Sequence, residues 1–188
     1  MRLDAADFHS KLFNLSCQTI ICGFSVLLAC ALSGTPAPTP SESMPLSPKS
    51  LLLDVASIND EIIVVGERGH ILKSRDEGNT WRQIVTPTRA TLTNVRFLDD
   101  RYGWASGHSG VILSTSDGGD SWDIITDVDP EISYFDTWFF DEWNGIFIGA
   151  YGEYATTDDA AESLKKEWIS EEELHFYDIS SSPDGTLY

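Results

Sequence analysis

Beyond residue 30 the chain has no cysteine; its three thiols are Cys17, Cys22 and Cys30. A disulfide-stapled scaffold is therefore excluded for everything that follows. Basic residues are scarce too. The 188 residues hold 12 Lys and Arg against 30 Asp and Glu, a formal net charge of −18. A field this negative repels phosphate and argues against nucleic-acid binding. Apolar spacing at 3.6 residues is missing, which disfavours a solenoid of helices. What is present is core material. An apolar share of 41% with six Trp, nine Phe and six Tyr is too rich for a disordered chain, and the length suits one domain or slightly more.

The first 50 residues read as leader and tether. Arg2 and Lys11 precede a stretch without charge until Glu42, centred on Thr19–Leu32. That centre is shorter than the ~20 residues a spanning helix needs and fits a secretory core ending in small residues. Asp4 and Asp7 make its start less basic than usual. Val26-Leu-Leu-Ala-Cys30 resembles the bacterial lipobox, whose cysteine thiol carries diacylglycerol through a thioether. The resemblance implies lipidation at Cys30. Leu32 rather than Asp after Ala31 points to the outer membrane, facing the periplasm. Ordinary cleavage near Ala29 or Ala31, giving a secreted protein, and an uncleaved anchor are the alternatives. Residues 31–50 hold five of the eight prolines, a composition for an extended tether rather than a core.

From residue 51 the chain repeats itself. Glycine pairs recur at Gly66/Gly69, Gly107/Gly110 and Gly149/Gly152, offset by 41 and then 42 residues. Asp54 and Asp178 stand 124 residues apart, three such periods. Short apolar runs end at the glycines, others follow, then come a polar turn and a further β-rich piece. About four strands in about 41 residues is the period of a β-propeller blade. The expected fold is all-β, an open arc of about three four-stranded antiparallel blades at about 51–91, 92–131 and 132–173, with a fourth beginning at 174–188. Only Asp159–Trp168 reads as a short helix.

The turn after the third strand carries a motif. Ser74-Arg-Asp76-Glu-Gly78-Asn-Thr80-Trp81 has the pattern Ser-x-Asp-x-Gly-x-Thr-Trp, and Thr115-Ser-Asp117-Gly-Gly119-Asp-Ser121-Trp122 repeats it with the hydroxyls exchanged. A carboxylate there accepts hydrogen bonds from the turn's own N–H groups. Glycine supplies positive φ, and the indole packs beneath. These are structural roles. In the third copy Asp158 to Trp168 is ten residues, the glycine and hydroxyl positions read as lost, and a longer loop is expected. Trp81, Trp122 and Trp168 are expected to pack between blades.

Asp-boxes on this period, after a Val-Gly-x-x-Gly-x-Ile-Leu-x-Ser strand, resemble the BNR/Asp-box propellers, and among them the photosystem II stability/assembly-factor-like family. The resemblance covers residues 51–188. It implies a propeller that binds a protein partner without catalysis. It also associates arginines with partner binding, which singles out Arg82, Arg89 and Arg96; scattered solvated arginines are the alternative. Tyr134-Phe-Asp-Thr-Trp-Phe-Phe140 offers aromatic anchors, although core packing accounts for most of them. A sialidase-like glycosidase also carries Asp-boxes, but an arginine cluster and the Phe/Tyr-Arg-Ile-Pro motif are missing. Asp117–Asp120 and Asp127–Glu131 supply oxygens for a calcium-stabilised adhesion module, without EF-hand spacing. His70 and His108 lack a Cys or third His nearby, so no metal is expected, and no cofactor is called for.

Propellers close with about four to eight blades, so the expectation is a piece of a longer propeller whose open ends expose apolar surface and invite self-association. Charge is polarised along it. Residues 51–101 hold 8 acids and 7 bases, whereas residues 102–188 hold 19 acids and 2 bases, with no Lys or Arg between Tyr102 and Leu164.

Overall fold

Runs such as Glu61-Ile-Ile-Val-Val65 and Gly145-Ile-Phe-Ile148 are β-branched and aromatic, bounded by glycine and Asx-rich turns, and they form strands for that reason. A computed structural model describes residues 39–125, 130–169 and 174–188. The first sheet is β1 (Leu52–Ile58), β2 (Glu61–Gly66), β3 (Ile71–Ser74) and β4 (Arg82–Ile84). The second is β5 (Leu92–Phe97), β6 (Gly103–Gly107), β7 (Ile112–Thr115) and β8 (Asp123–Ile124). The third is β9 (Tyr134–Phe139), β10 (Gly145–Gly149), β11 (Glu153–Thr157) and β12 (Lys165–Trp168). Each is an antiparallel meander with its strands in chain order. The protein is thus all-β, a partial propeller of three four-stranded sheets, and no α-helix occurs among the described residues.

The paired glycines have two different jobs. A Cβ on Gly66, Gly107 or Gly149 would lie 2.0–2.1 Å from the carbonyl oxygen of Leu51, Thr91 or Ser133, and backbone cannot yield to it. The second glycine of each pair closes the turn in the left-handed region, at φ 70° for Gly69, 64° for Gly110 and 74° for Gly152. The residue before it, Arg68, Ser109 or Tyr151, is left-handed as well.

Two apolar cores lie between neighbouring sheets. Ile63, Val65, Ile71 and Ile84 meet Val95, Leu113 and Trp122 in the first. Trp104, Ile112 and Ile125 meet Tyr134, Phe139, Phe147 and Ala155 in the second, where Trp104 stacks flat on Phe139. Alternation turns Val64 and Leu72, and likewise Ile146 and Ile148, away from these cores. All four are nevertheless buried, so these positions do not add to exposed apolar surface at the ends of the arc.

Three local expectations are corrected. Residues 159–168 are not helical; a tight turn precedes β12 there. The third Asp-box is not a longer loop. Asp159 Oδ1 accepts from Thr157 Oγ1 (2.8 Å) and from the Ser163 N–H (2.9 Å), and Asp159 Oδ2 accepts from Ser163 Oγ (2.6 Å). The motif is Thr157-x-Asp159-x-x-x-Ser163-Leu164, with Ala160 and Ala161 holding φ of 61° and 70° where the second copy has glycines. Trp168 is 64% exposed on β12, and Leu164 takes the place against the core that Trp122 holds one sheet earlier.

Part of the expected tether is docked. The Ser41 N–H donates to Thr86 O and Ser41 Oγ accepts from the Thr86 N–H, both at 2.9 Å. Gln83 on β4 bridges Glu42 O and the Met44 N–H. Pinning the chain along β4 covers an edge strand that would otherwise offer free backbone groups. Residues Ser180–Tyr188 form a separate small unit, a turn in which Asp184 Oδ1 accepts from the Thr186 N–H at 3.0 Å. The leader with Cys30 lies outside the described residues, and no helix among those described is long and apolar enough to cross a membrane.

Candidate functional site

The innermost strands β1, β5 and β9, with Tyr177 and Asp178 beside them, line an open groove of about 440 Å³. Each inner strand carries one unpaired residue where the register shifts, namely Leu53, Thr93 and Phe135, opposite the first glycine of each pair. A β-bulge re-aims a side chain and is a frequent neighbour of functional sites. All three bulge residues line the groove, as does Tyr177, which follows Phe135 by one period of 42. Leu53 and Val55 are 43% and 59% exposed there.

The next residue along each inner strand is polar, namely Asp54, Asn94 and Asp136, and Asp178 follows Tyr177 in the same way. These side chains tie one inner strand to the next. Asp54 Oδ1 accepts the Val55 N–H (2.8 Å) and Oδ2 the Val95 N–H (2.8 Å). Asp136 accepts the Thr137 N–H (2.7 Å) and the Ile179 N–H (2.9 Å). Asn94 stands between the two carboxylates and donates Nδ2 to both, at 3.2 and 2.6 Å. An edge N–H needs an acceptor, and two neighbouring carboxylates need a donor between them. Burial pushes the Asp136 carboxyl up to about 6, against two backbone N–H groups that lower it, with Asp178 adding to the rise. The intermediate members Asn94 and Asp136, one and two periods after Asp54, were missed from sequence. The 124-residue spacing of Asp54 and Asp178 held the signal for them.

The Asp-box side chains form turns. Asp76 accepts from Ser74 Oγ (2.9 Å), the Thr80 N–H (2.8 Å) and Thr80 Oγ1 (2.6 Å). Asp117 does the same with Thr115, Ser121 N–H and Ser121 Oγ, and these bonds outweigh burial to lower its carboxyl to about 2. Gly78 and Gly119 hold φ of 83° and 82°. Trp122 is buried and meets Phe97 edge-on, while Trp81 is half-buried. Asp127 and Asp129 lie outside the described residues, and among those described no three His, Cys, Asp or Glu side chains stand together as a metal site.

The three singled-out arginines do not form one patch. Arg82 on β4 pairs with Asp120 at 2.6 Å. Arg89 pairs with Glu42 and donates to Pro40 O. Only Arg96, on β5, lines the groove, with its guanidinium 4.7 Å from the Trp138 ring centre and 3.8 Å from the Asp136 carboxylate. His70 is buried with neither ring nitrogen partnered, and burial lowers its pKa. His108 is exposed and shares a hydrogen bond with Ser133 Oγ at 3.1 Å.

Three meandering sheets joined by Asp-box turns, with a groove on the inner strands, define the chain as an Asp-box β-propeller arc. The family model described as photosynthesis system II assembly factor YCF48 matches residues 79–134. The chain is 33% identical over 91 residues to the photosystem II stability/assembly factor HCF136, chloroplastic, of Oryza sativa subsp. japonica, covering 44% of this chain and 22% of that protein. It is 37% identical over 46 residues to the photosystem II assembly lipoprotein Ycf48 of Synechocystis sp., covering 24% and 14%. A solved structure, YCF48 bound to D1 peptide, aligns with a TM-score of 0.60 and 22% identity, covering 82% of this chain and 53% of that one. The matches thus span about a fifth or less of these relatives' sequences and about half of the solved chain. In sequence and fold the chain is related to the photosystem II assembly-factor-like β-propellers.

Proposed function

We propose that the chain is a non-catalytic scaffold that binds a polypeptide partner along the inner groove, held at the cell envelope through Cys30. The observation that carries this reading is the row of bulge residues, which turn Leu53, Thr93 and Phe135 into an open groove on rigid strands. Side chains presented this way are rigid and partly exposed, which suits recognition. The solved structure with the same fold has a peptide bound, in the words of its description, and one relative is described as a lipoprotein. A scaffold role also fits the Asp-box carboxylates, which are fully engaged by their own turns.

The test is binding of the full chain to a set of labelled extended peptides, read by fluorescence anisotropy. Wild type binds a subset, and Val55→Asp in the groove loses it while its melting temperature holds. Peptides that bind Val55→Asp as well as wild type, or turnover of a fluorogenic sialoside, would overturn the reading.

A further inference from the structure

Phe135 and Tyr177, at the mouth of the groove, belong to one continuous ribbon of five rings. Tyr151 packs on His175 (5.0 Å between ring centres), His175 on Tyr177 (6.0 Å), and Tyr177 stacks on Phe135 (5.2 Å, 17° between planes). Phe135 meets His108 edge-on at 6.3 Å. Tyr151 and Tyr177 are 53% and 68% exposed. The backbone, not the hydrophobic effect, directs these rings outward: Phe135 is a bulge residue and Tyr151 is left-handed at φ 58°. The Tyr151 N–H donates to His175 Nδ1 at 3.4 Å.

Asp178 follows Tyr177 and lines the same groove, exposed and with no Lys or Arg partner among the described residues. One step deeper, the same combination of ring and carboxylate is already filled. There the chain's own Arg96 lies over Trp138 and beside Asp136. The mouth therefore repeats an arginine site without the arginine. Its surroundings suit a cation, since residues 102–188 hold 19 acids and 2 bases.

We propose that the mouth receives an arginine side chain of an extended polypeptide, its guanidinium stacked on Tyr177 beside Phe135 and paired with Asp178. Planar stacking and a two-pronged salt bridge favour arginine over lysine at such a place. The inference rests on the reading that the chain binds a polypeptide in the groove.

The experiment uses the full chain and three fluorescein-labelled peptides of sequence Gly-Ser-Xaa-Gly-Ser-Xaa-Gly, with arginine, lysine or citrulline at Xaa. Citrulline keeps the shape of arginine and removes its charge. Near physiological ionic strength, Tyr177→Ala and Asp178→Asn should each weaken the arginine peptide by about fivefold or more, while Tyr177→Phe retains binding. Glu142→Gln, at a half-buried carboxylate outside the groove lining, should leave it unchanged. Equal binding of the citrulline peptide, equal loss in Glu142→Gln, or no binding of the arginine peptide at millimolar concentration would each overturn the inference. Groove binding of other peptides that survives Tyr177→Ala but not Val55→Asp would sink the arginine site and leave the scaffold reading standing.

Discussion

Single side chains decide several properties that the fold as a whole does not. His70 is buried without a hydrogen-bond partner, and its counterpart one repeat on is Val111, a core residue. Burial lowers the imidazole pKa from its ordinary 6.5. A depressed pKa gives stability that is present above the unfolded value and lost as pH falls through the folded one. Acidification from about pH 7 to pH 5 should therefore lower the denaturation midpoint through this residue. His70→Val should remove that part of the slope, and urea titrations of both proteins at the two pH values measure it. An unchanged slope would show that His70 binds its proton equally well folded and unfolded, against the effect of burial. Histidine after the first glycine pair was visible in the sequence, but its burial was not, because a lone His reads the same on a strand's buried and exposed faces.

At the scale of the element, the Asp-box shows what a motif carries and what it does not. Turn geometry is written in the hydroxyl–Asp–hydroxyl spacing, present at Ser74/Asp76/Thr80, Thr115/Asp117/Ser121 and Thr157/Asp159/Ser163. Glycine and tryptophan are the more visible letters, and reading the third copy from Trp168 put it out of register. Backbone strain marks where the third copy departs. Ala160 holds φ 61° at the position of Gly118 in the second box. A left-handed alanine costs about 1 kcal/mol that glycine does not. Ala160→Gly should accordingly raise the melting temperature by roughly 3 °C, as scanning calorimetry would record. A drop would mean that the Ala160 side chain packs better than its backbone suffers.

For the whole molecule, the charge polarity noted along the sequence becomes a joint between two sheets. Lys73 on β3 is buried, donates to Gly118 O (2.9 Å), and pairs with Glu61 (2.7 Å) and Asp120 (3.1 Å). Arg75 and Arg82 add exposed contacts to the same Asp120. The near-neutral first sheet thus lends its cations to the turn of the acidic second. The repeat puts Ser114 and Thr156 at the position of Lys73, so this device belongs to one joint. Lys73→Met should destabilise the protein by about 2 kcal/mol, because two carboxylates and a carbonyl lose a buried donor. Arg82→Ala should cost at most about 0.5 kcal/mol, since exposed pairs are screened. Chemical denaturation compares the two, and equal costs would refute the distinction between buried and exposed members.

By itself the sequence determined the repeat, the strand order within each sheet and the two glycine-bearing Asp-boxes. Each of these depends on residues close along the chain, where period, glycine and hydroxyl spacing act directly on the backbone. Only the tertiary structure decided which side of each strand faces the groove, because a single bulge residue reverses the alternation. It also decided that Arg82 and Arg89 are occupied by carboxylates on other elements, whereas Arg96 lies in the groove. Partners about 40 residues apart meet through sheet packing. Their positions along the chain mark the candidates, and the packing of one sheet on the next selects among them.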